Sequence, residues 1–363
     1  MHAIVSRNLQ KRAEVTATEE GIRLDLYGGE SRSPYFSGYL HQMLTCSEGK
    51  PWRFKETRLE NVEITGDADR IGIRGTRREL GFRMELSFDR HGPLSMDAAW
   101  DNDSERTLED AAFGLLFAFP RHSREIVTIP HMIYNNNPSS DPERIVPRLG
   151  AGPDRGFICE EHRLPIPCVN LEWTEEGGTR FFSLFAVPSF EETADGTVHY
   201  GSLGAVQEEH RFMAAAMSGV LMFNGEKDIH CVAKSKTAPY GGGYRNLPPG
   251  SSLRKQYALD WGTAARPGQG FREIVRKGME LFAPEGARPL TAGEMIRLKT
   301  NALDDRWRTN ERGAAGYVKF TDSNAFGNVS KHPLHYMYGW TGQCLKLAWC
   351  DAKLGFGQGR KSG

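Results

Sequence analysis

The run His131-Met-Ile-Tyr-Asn-Asn-Asn-Pro-Ser-Ser-Asp-Pro-Glu-Arg144 gathers amides, a phenol, carboxylates and a guanidinium in one polar segment. These groups hydrogen-bond sugar hydroxyls, and a tyrosine ring offers a flat apolar surface on which a pyranose face can stack. Tyr134, Asn135, Asn136, Asn137 and Arg144 are therefore candidate substrate-binding residues. The same composition also describes a turn-rich connection whose Asn side chains satisfy their own backbone. The length of the run adds weight to function, because long irregular loops in compact domains are usually functional.

A second cluster, Glu160-Glu161-His162-Arg163, stands beside Leu164-Pro-Ile-Pro167. Adjacent carboxylates on a strand point to opposite faces, so these two cannot serve as the paired acid and base of a glycosidase. A solvated strand end or a structural ion pair is the expectation, with one carboxylate still able to face a cleft. The same four residue types return as Glu208-Glu209-His210-Arg211, again ahead of an apolar strand. That echo is either a repeated hairpin or chance.

The third cluster is Tyr336 to Gly355, which contains Tyr338-Gly-Trp-Thr-Gly-Gln343. It reads as a helix opened by aromatics. Gly339 and Gly342 let backbone approach closely there, so Tyr338 and Trp340 are candidates for stacking a sugar at the mouth of a helical domain. Leu345, Leu347 and Trp349 read as its core face. His332 and His335 have Pro333 between them and no carboxylate at a ligand spacing, so no metal is expected.

Other chemistries lack their motifs. There is no Gly-x-x-x-x-Gly-Lys-Ser/Thr loop, no Gly-x-Ser-x-Gly elbow and no His-Glu-x-x-His helix, and Gly241-Gly-Gly-Tyr does not open a helix after a strand. No cofactor is expected. The six cysteines form no Cys-x-x-Cys pair and read as reduced, mostly buried thiols.

The elements that must position these residues fall into two regimes. From Glu14 to about Trp261, short apolar runs of period two are broken by Gly, Asn, Asp and Pro, the spacing of an antiparallel β-sandwich. Ile22–Tyr27, 61–64, 70–75 and 82–88 are the clearest early strands, and Asn224-Gly225 is a hairpin signal ahead of a strand at 228–234. In 82–88, Phe82, Met84, Leu86 and Phe88 share one face, while Arg83, Glu85 and Ser87 share the other. After 264–270 the period becomes helical. Phe271, Ile274, Val275, Met279 and Phe282 form one stripe, and a second helix follows Thr291, whose spacing to Glu294 is that of a capping box. The fold class is thus mainly β: a large antiparallel sandwich over 1–263, a helical linker over 264–312, and the start of a helical domain over 313–363.

Lys plus Arg and Asp plus Glu number 46 each, so no net field draws the chain to nucleic acid or an anionic membrane. A neutral saccharide partner fits that balance. No stretch reaches the roughly 18 apolar residues of a membrane span, and no signal-like h-region opens the chain, which gives the cytoplasm as its expected location.

A large sandwich, linker helices and then the Tyr338–Gln343 motif together resemble the bacterial glycoside hydrolases and phosphorylases built on a six-hairpin (α/α) toroid. The segment Trp100 to Ser104, a Trp-x-Asn-x-Ser turn between extended strands, adds to the resemblance, although an Asx-rich hairpin explains the same residues. The resemblance implies a supersandwich-like domain that lends loops to a toroid cleft. Its chemistry would be acid–base hydrolysis of glycosidic bonds by carboxylates on later hairpins. Twelve helices with connections need roughly 200 residues, whereas only one toroid helix fits here. The chain is therefore expected to be an N-terminal part, natural or truncated, without its own catalytic pair. The alternative is a non-catalytic carbohydrate-binding or assembly module. Leu345, Leu347, Ala348 and Trp349 would be left uncovered, favouring a homo-oligomer through the terminal helix.

Overall fold

In the strand Leu80–Phe88, Phe82, Met84 and Leu86 are buried while Arg83 and Glu85 are exposed, so the alternation in the sequence becomes a sheet with one wet face. The structure, a computed structural model, describes residues 1–29, 31–48, 56–89, 92–122, 124–134, 155–175, 177–188, 190–192, 198–218, 223–224, 245–282, 290–304, 307–309, 315–317 and 353. It is mainly β, with several antiparallel sheets and few helices. The chain divides into two compact units, Met1–Ala283 and Pro284–Gly363.

The first unit is built on a long sheet of eight strands. Their order is Glu125–Thr128, Cys168–Glu175, Gly178–Ala186, Ser252–Ala264, Leu94–Asn102, Leu80–Phe88, Arg70–Arg77, Glu60–Gly66. A second sheet runs Phe223–Asn224, Arg155–Glu160, Ser202–Gln207, Arg211–Met217, Leu108–Pro120, Arg245–Leu247, with Leu44–Ser47 also on Leu108–Pro120. Inner-face side chains of the two sheets share one core. Phe119 lies 5.0 Å from Phe182 and 4.9 Å from Trp173, and Trp100 stacks on Phe113 at 5.2 Å. Aromatic contacts of this kind add to a large area term, because each ring buries 150–250 Å².

A further four-stranded sheet, His2–Val5, Lys11–Thr18, Gly21–Gly28 and Phe36–Tyr39, closes one end of the core. It is fixed there by Trp261 Nε1, which donates to the Tyr27 carbonyl at 3.2 Å, and by a Lys11–Asp260 ion pair. Helical turns are not confined to the region after 264. Leu40–Met43 is a one-turn helix and Glu161–Arg163 a 3-10 turn, both inside the β region. Of the expected hairpin at Asn224-Gly225, Phe223–Asn224 is a strand paired with Arg155–Glu160, while Gly225 and 228–234 lie outside the described residues.

The helix Phe271–Phe282 has the bounds its period gives. Its buried edge differs from the expected stripe: Ile274, Lys277 and Gly278 are buried, while Phe271, Val275 and Met279 are exposed. The sheet decides this, because Ile274 packs with Cys168, Phe185 and Ala258 on the outer face of the long sheet, with Leu281 and Phe282 at the margin. A buried carboxylate holds the start of the helix. Glu172 accepts the Gly268 N–H at 3.0 Å; burial pushes this carboxyl up, and the backbone N–H groups of 268–270 oppose the shift.

In the second unit, helix Ala292–Asp304 carries the expected capping box. Thr291 N–H and Oγ1 both donate to Glu294 Oε2 at 2.8 Å, and Glu294 N–H returns to Thr291 Oγ1 at 3.2 Å. Trp307–Thr309 pairs with Ala315–Tyr317 in a short antiparallel ribbon. The expected terminal helix, 336–355, lies outside the described residues apart from Lys353. No described helix is long and apolar enough to cross a membrane.

Candidate functional site

Strand register assembles polar side chains into rows on the exposed face of the long sheet. Arg74 stands opposite Arg83, Arg83 opposite Ala99, and Ala99 opposite Arg254, so three arginines share one row across four strands. On one side of it lies the row Gly72, Glu85, Asp97, Gln256, and on the other the row Gly81, Asp101, Ser252. An open cleft of about 510 Å³ runs over these strands, lined among others by Arg70, Arg74, Arg83, Glu85, Asp97 and Arg254.

Most of these groups hold one another. Arg83 forks onto Asp101 through Nε at 2.9 Å and Nη2 at 3.1 Å, and Nη2 also reaches Ser252 Oγ at 3.2 Å. Arg254 Nε lies 2.7 Å from Asp97 Oδ1, and Gln256 Nε2 donates to Asp97 Oδ2 at 3.0 Å. Arg70 Nη1 donates to Glu85 Oε1 at 3.2 Å. The Arg254 hydrogen bond, opposed by partial burial, holds Asp97 below the usual carboxylate range, and Arg83 does the same for Asp101. Both are therefore ionised acceptors at neutral pH rather than proton donors. Planar, oriented, ionised groups with lone pairs left over can bind vicinal hydroxyls; they cannot protonate a leaving oxygen.

The two carboxylates of the Glu160–Arg163 turn are not solvated. Glu160 ends its strand on the side of Ile158, away from the main core, and is fully buried. Arg163 Nε stands 2.8 Å from Glu160 Oε2, yet neither carboxylate oxygen receives an aligned hydrogen bond among the described residues. Burial pushes this carboxyl up, with Arg163 opposing. Glu161 turns to the opposite side and meets Lys255 between the two sheets. Lys255 Nζ donates to Glu161 Oε1 at 2.7 Å and the Gly201 N–H donates to the same oxygen at 2.9 Å. A Cβ on Gly201 would lie 2.7 Å from both Glu161 Oε2 and Lys255 Nζ, so a side chain there would displace the pair. Burial lowers the Lys255 ammonium, with Glu161 opposing. The opposite-face argument from the sequence thus holds, and the ion-pair alternative replaces the solvated strand end.

Of the residues singled out for sugar binding, Tyr134 is described. It is 56% exposed, and its hydroxyl accepts the His131 N–H at 2.8 Å within the turn that follows Glu125–Thr128. Asn135, Asn136, Asn137, Arg144, Tyr338 and Trp340 lie outside the described residues. The Trp100–Ser104 motif works as a turn. Asn102 is buried, its amide donates to the Arg106 and Leu247 carbonyls at 2.9 and 2.7 Å, and Ser104 N–H and Oγ donate back to Asn102 Oδ1. Cys46, Cys159 and Cys168 are buried thiols, the first two pushed up by burial to about 11 and about 12. No three His, Cys, Asp or Glu side chains gather as a metal set among the described residues.

The arginine row was missed by sequence reasoning. Its signal was present, since Arg83 and Glu85 alternate with core residues, but neighbours in a row are joined only by register.

No family model matches the sequence, and no curated protein does. Two solved structures show limited likeness. One is a provisionally assigned aldose 1-epimerase from Klebsiella pneumoniae subsp. pneumoniae, 11% identical, with a TM-score of 0.33 over 74% of this chain and 64% of that one. The other is a galactose mutarotase-like protein from Clostridium acetobutylicum, 12% identical, with a TM-score of 0.28 over 58% of this chain and 68% of that one. The chain therefore spans less than two thirds of the first structure's length. Likeness at this level carries no argument about activity.

Proposed function

We propose that this chain recognises a saccharide on the exposed face of its long sheet, as the sandwich part of a carbohydrate-active protein. The observation that carries the reading is Asp97. It is oriented by Arg254 and Gln256 on one strand and stands in an open cleft beside Glu85 on the next. Such a carboxylate accepts from sugar hydroxyls while the neighbouring amide and guanidinium donate to them, the mixed pattern that a diol requires. Recognition is favoured over catalysis by these residues because Asp97 is held as an ionised acceptor. Glu160 and Glu161 point to opposite sides, so they offer no opposed pair. Glycosidic hydrolysis, which the six-hairpin resemblance implies, would need carboxylates other than these. The buried thiols Cys46, Cys159 and Cys168 fit a reducing compartment such as the cytoplasm.

Isothermal titration of the purified chain against neutral oligosaccharides of differing linkage tests the reading. One or more should bind, and Asp97→Ala should weaken binding by about tenfold or more while far-UV circular dichroism stays unchanged. Binding that survives both Asp97→Ala and Gln256→Ala would remove this face from the function.

A further inference from the structure

We infer that the saccharide bound on this face carries an anionic substituent, a carboxylate or a sulfate ester, which is received at Arg74. The inference rests on the proposed carbohydrate recognition and adds to it the charge of the ligand.

Arg74 and Arg83 stand directly opposite each other on neighbouring strands. Like charges in that relation repel and cost the sheet stability. Elsewhere on this face each arginine's charge is answered: Arg83 by Asp101, Arg254 by Asp97 and Arg70 by Glu85. Arg74 makes no ion pair or side-chain hydrogen bond among the described residues. Glu63, opposite it on its other flank, does not reach it either. An exposed guanidinium with five donors, held beside a second one and lining a cleft, is set to receive an anion that bridges the two strands.

The floor beside it belongs to the same cleft. Gly72 precedes Arg74 on the same face of the strand, and Thr65 Oγ1 packs over it, 2.8 Å from where a Cβ would stand. The cleft continues from Arg74 past Gly72 and Thr65 to Glu85 and Asp97, which leaves room over this row for the ring that bears the anion. Hydroxyl acceptors and an anion receptor are thus adjacent, which suits an acidic sugar better than a free inorganic anion.

The test uses the whole chain and three oligosaccharides of equal length: one of uronic acids, its carboxyl-reduced neutral counterpart, and a sulfated neutral one. Each is titrated calorimetrically at about 0.15 M salt, where exposed charges beyond a Debye length of about 8 Å are screened. At least one charged ligand should bind about tenfold tighter than the neutral one, and whether it is the uronate or the sulfate identifies the anion. Arg74→Gln should abolish that preference, so that charged and neutral ligands bind the variant alike. Arg211→Gln removes the same charge from a distant exposed turn and should change nothing. Equal binding of charged and neutral ligands overturns the anion inference and leaves carbohydrate recognition standing. So does a preference that survives Arg74→Gln, or one that falls equally in Arg211→Gln. Failure of all three ligands to bind overturns both readings.

Discussion

The chain contains Glu-Glu-His-Arg twice, at 160–163 and 208–211, and the fold treats the two copies oppositely. Each places its arginine three residues after its first glutamate and pairs with it. The second glutamates part company: Glu161 is 1% exposed and Glu209 is 75% exposed. The second copy is the turn between Ser202–Gln207 and Arg211–Met217, where the Glu208 N–H donates to the Arg211 carbonyl at 2.8 Å and the remaining side chains stay in water. The first copy ends Arg155–Glu160 and rolls into a 3-10 turn, driving one carboxylate to each side of the second sheet. An ion pair of identical sequence is thus a surface ornament in one place and a buried constraint in the other. Desolvation, not residue type, sets the difference.

The largest effect expected from that contrast lies at Lys255. Lys255→Ala strands Glu161 between the sheets and should cost about 3–5 kcal/mol, whereas Glu209→Ala should stay within about 0.5 kcal/mol, both read by urea denaturation. Replacing Glu161 by Gln and Lys255 by Met together should recover most of the loss, because no charge is then left alone. Similar losses for Lys255→Ala and Glu209→Ala would erase the distinction between the copies.

A smaller effect, at the first glutamate of the buried copy, is read by pH. The folded carboxyl of Glu160 is raised, so the folded state holds its proton more tightly than the unfolded one. The stability this brings is present at low pH and is lost as pH climbs from the ordinary carboxylate value, about 4.3, through the raised one. Glu160→Gln carries no such charge and should gain on the parent chain as pH rises above the ordinary carboxylate value in thermal melts. A flat difference between Glu160→Gln and the parent would contradict the desolvation assigned to Glu160. The smallest effect belongs to Arg211→Ala. This breaks an exposed pair and should cost less than about 1 kcal/mol, a cost that fades as salt rises from about 0.1 M to about 1 M.

Much of the fold was legible because period carries it. Phe82, Met84 and Leu86 alternate with Arg83 and Glu85, and Phe271–Phe282 has the length its pattern gives. The edge that this helix buries was not legible. Its amphipathic stripe is broad enough for several orientations, and the contact of Ile274 with Cys168 and Phe185 selects one. The residues Trp100–Ser104 admit two meanings in sequence, and the buried amide of Asn102 gives the turn the backbone-satisfying one. Tyr134 could be nominated from composition, but that its hydroxyl folds back onto His131 could not.

Local spacing dictates the element types, the antiparallel wet-faced strands, the capping box at Thr291 and Glu294, and the rule that Glu160 and Glu161 face apart. Each depends on spacings of a few residues, which local sterics and hydrogen bonding translate directly into geometry. The assembled core, not any local spacing, brings Arg74, Arg83 and Arg254, spread over 180 positions, into one row. It alone decided that one Glu-Glu-His-Arg is buried and the other wet. A one-residue slip in any of those pairings would turn a strand's side chains to the opposite face. Register is fixed by the packing of the whole core, so no segment of the sequence states it alone.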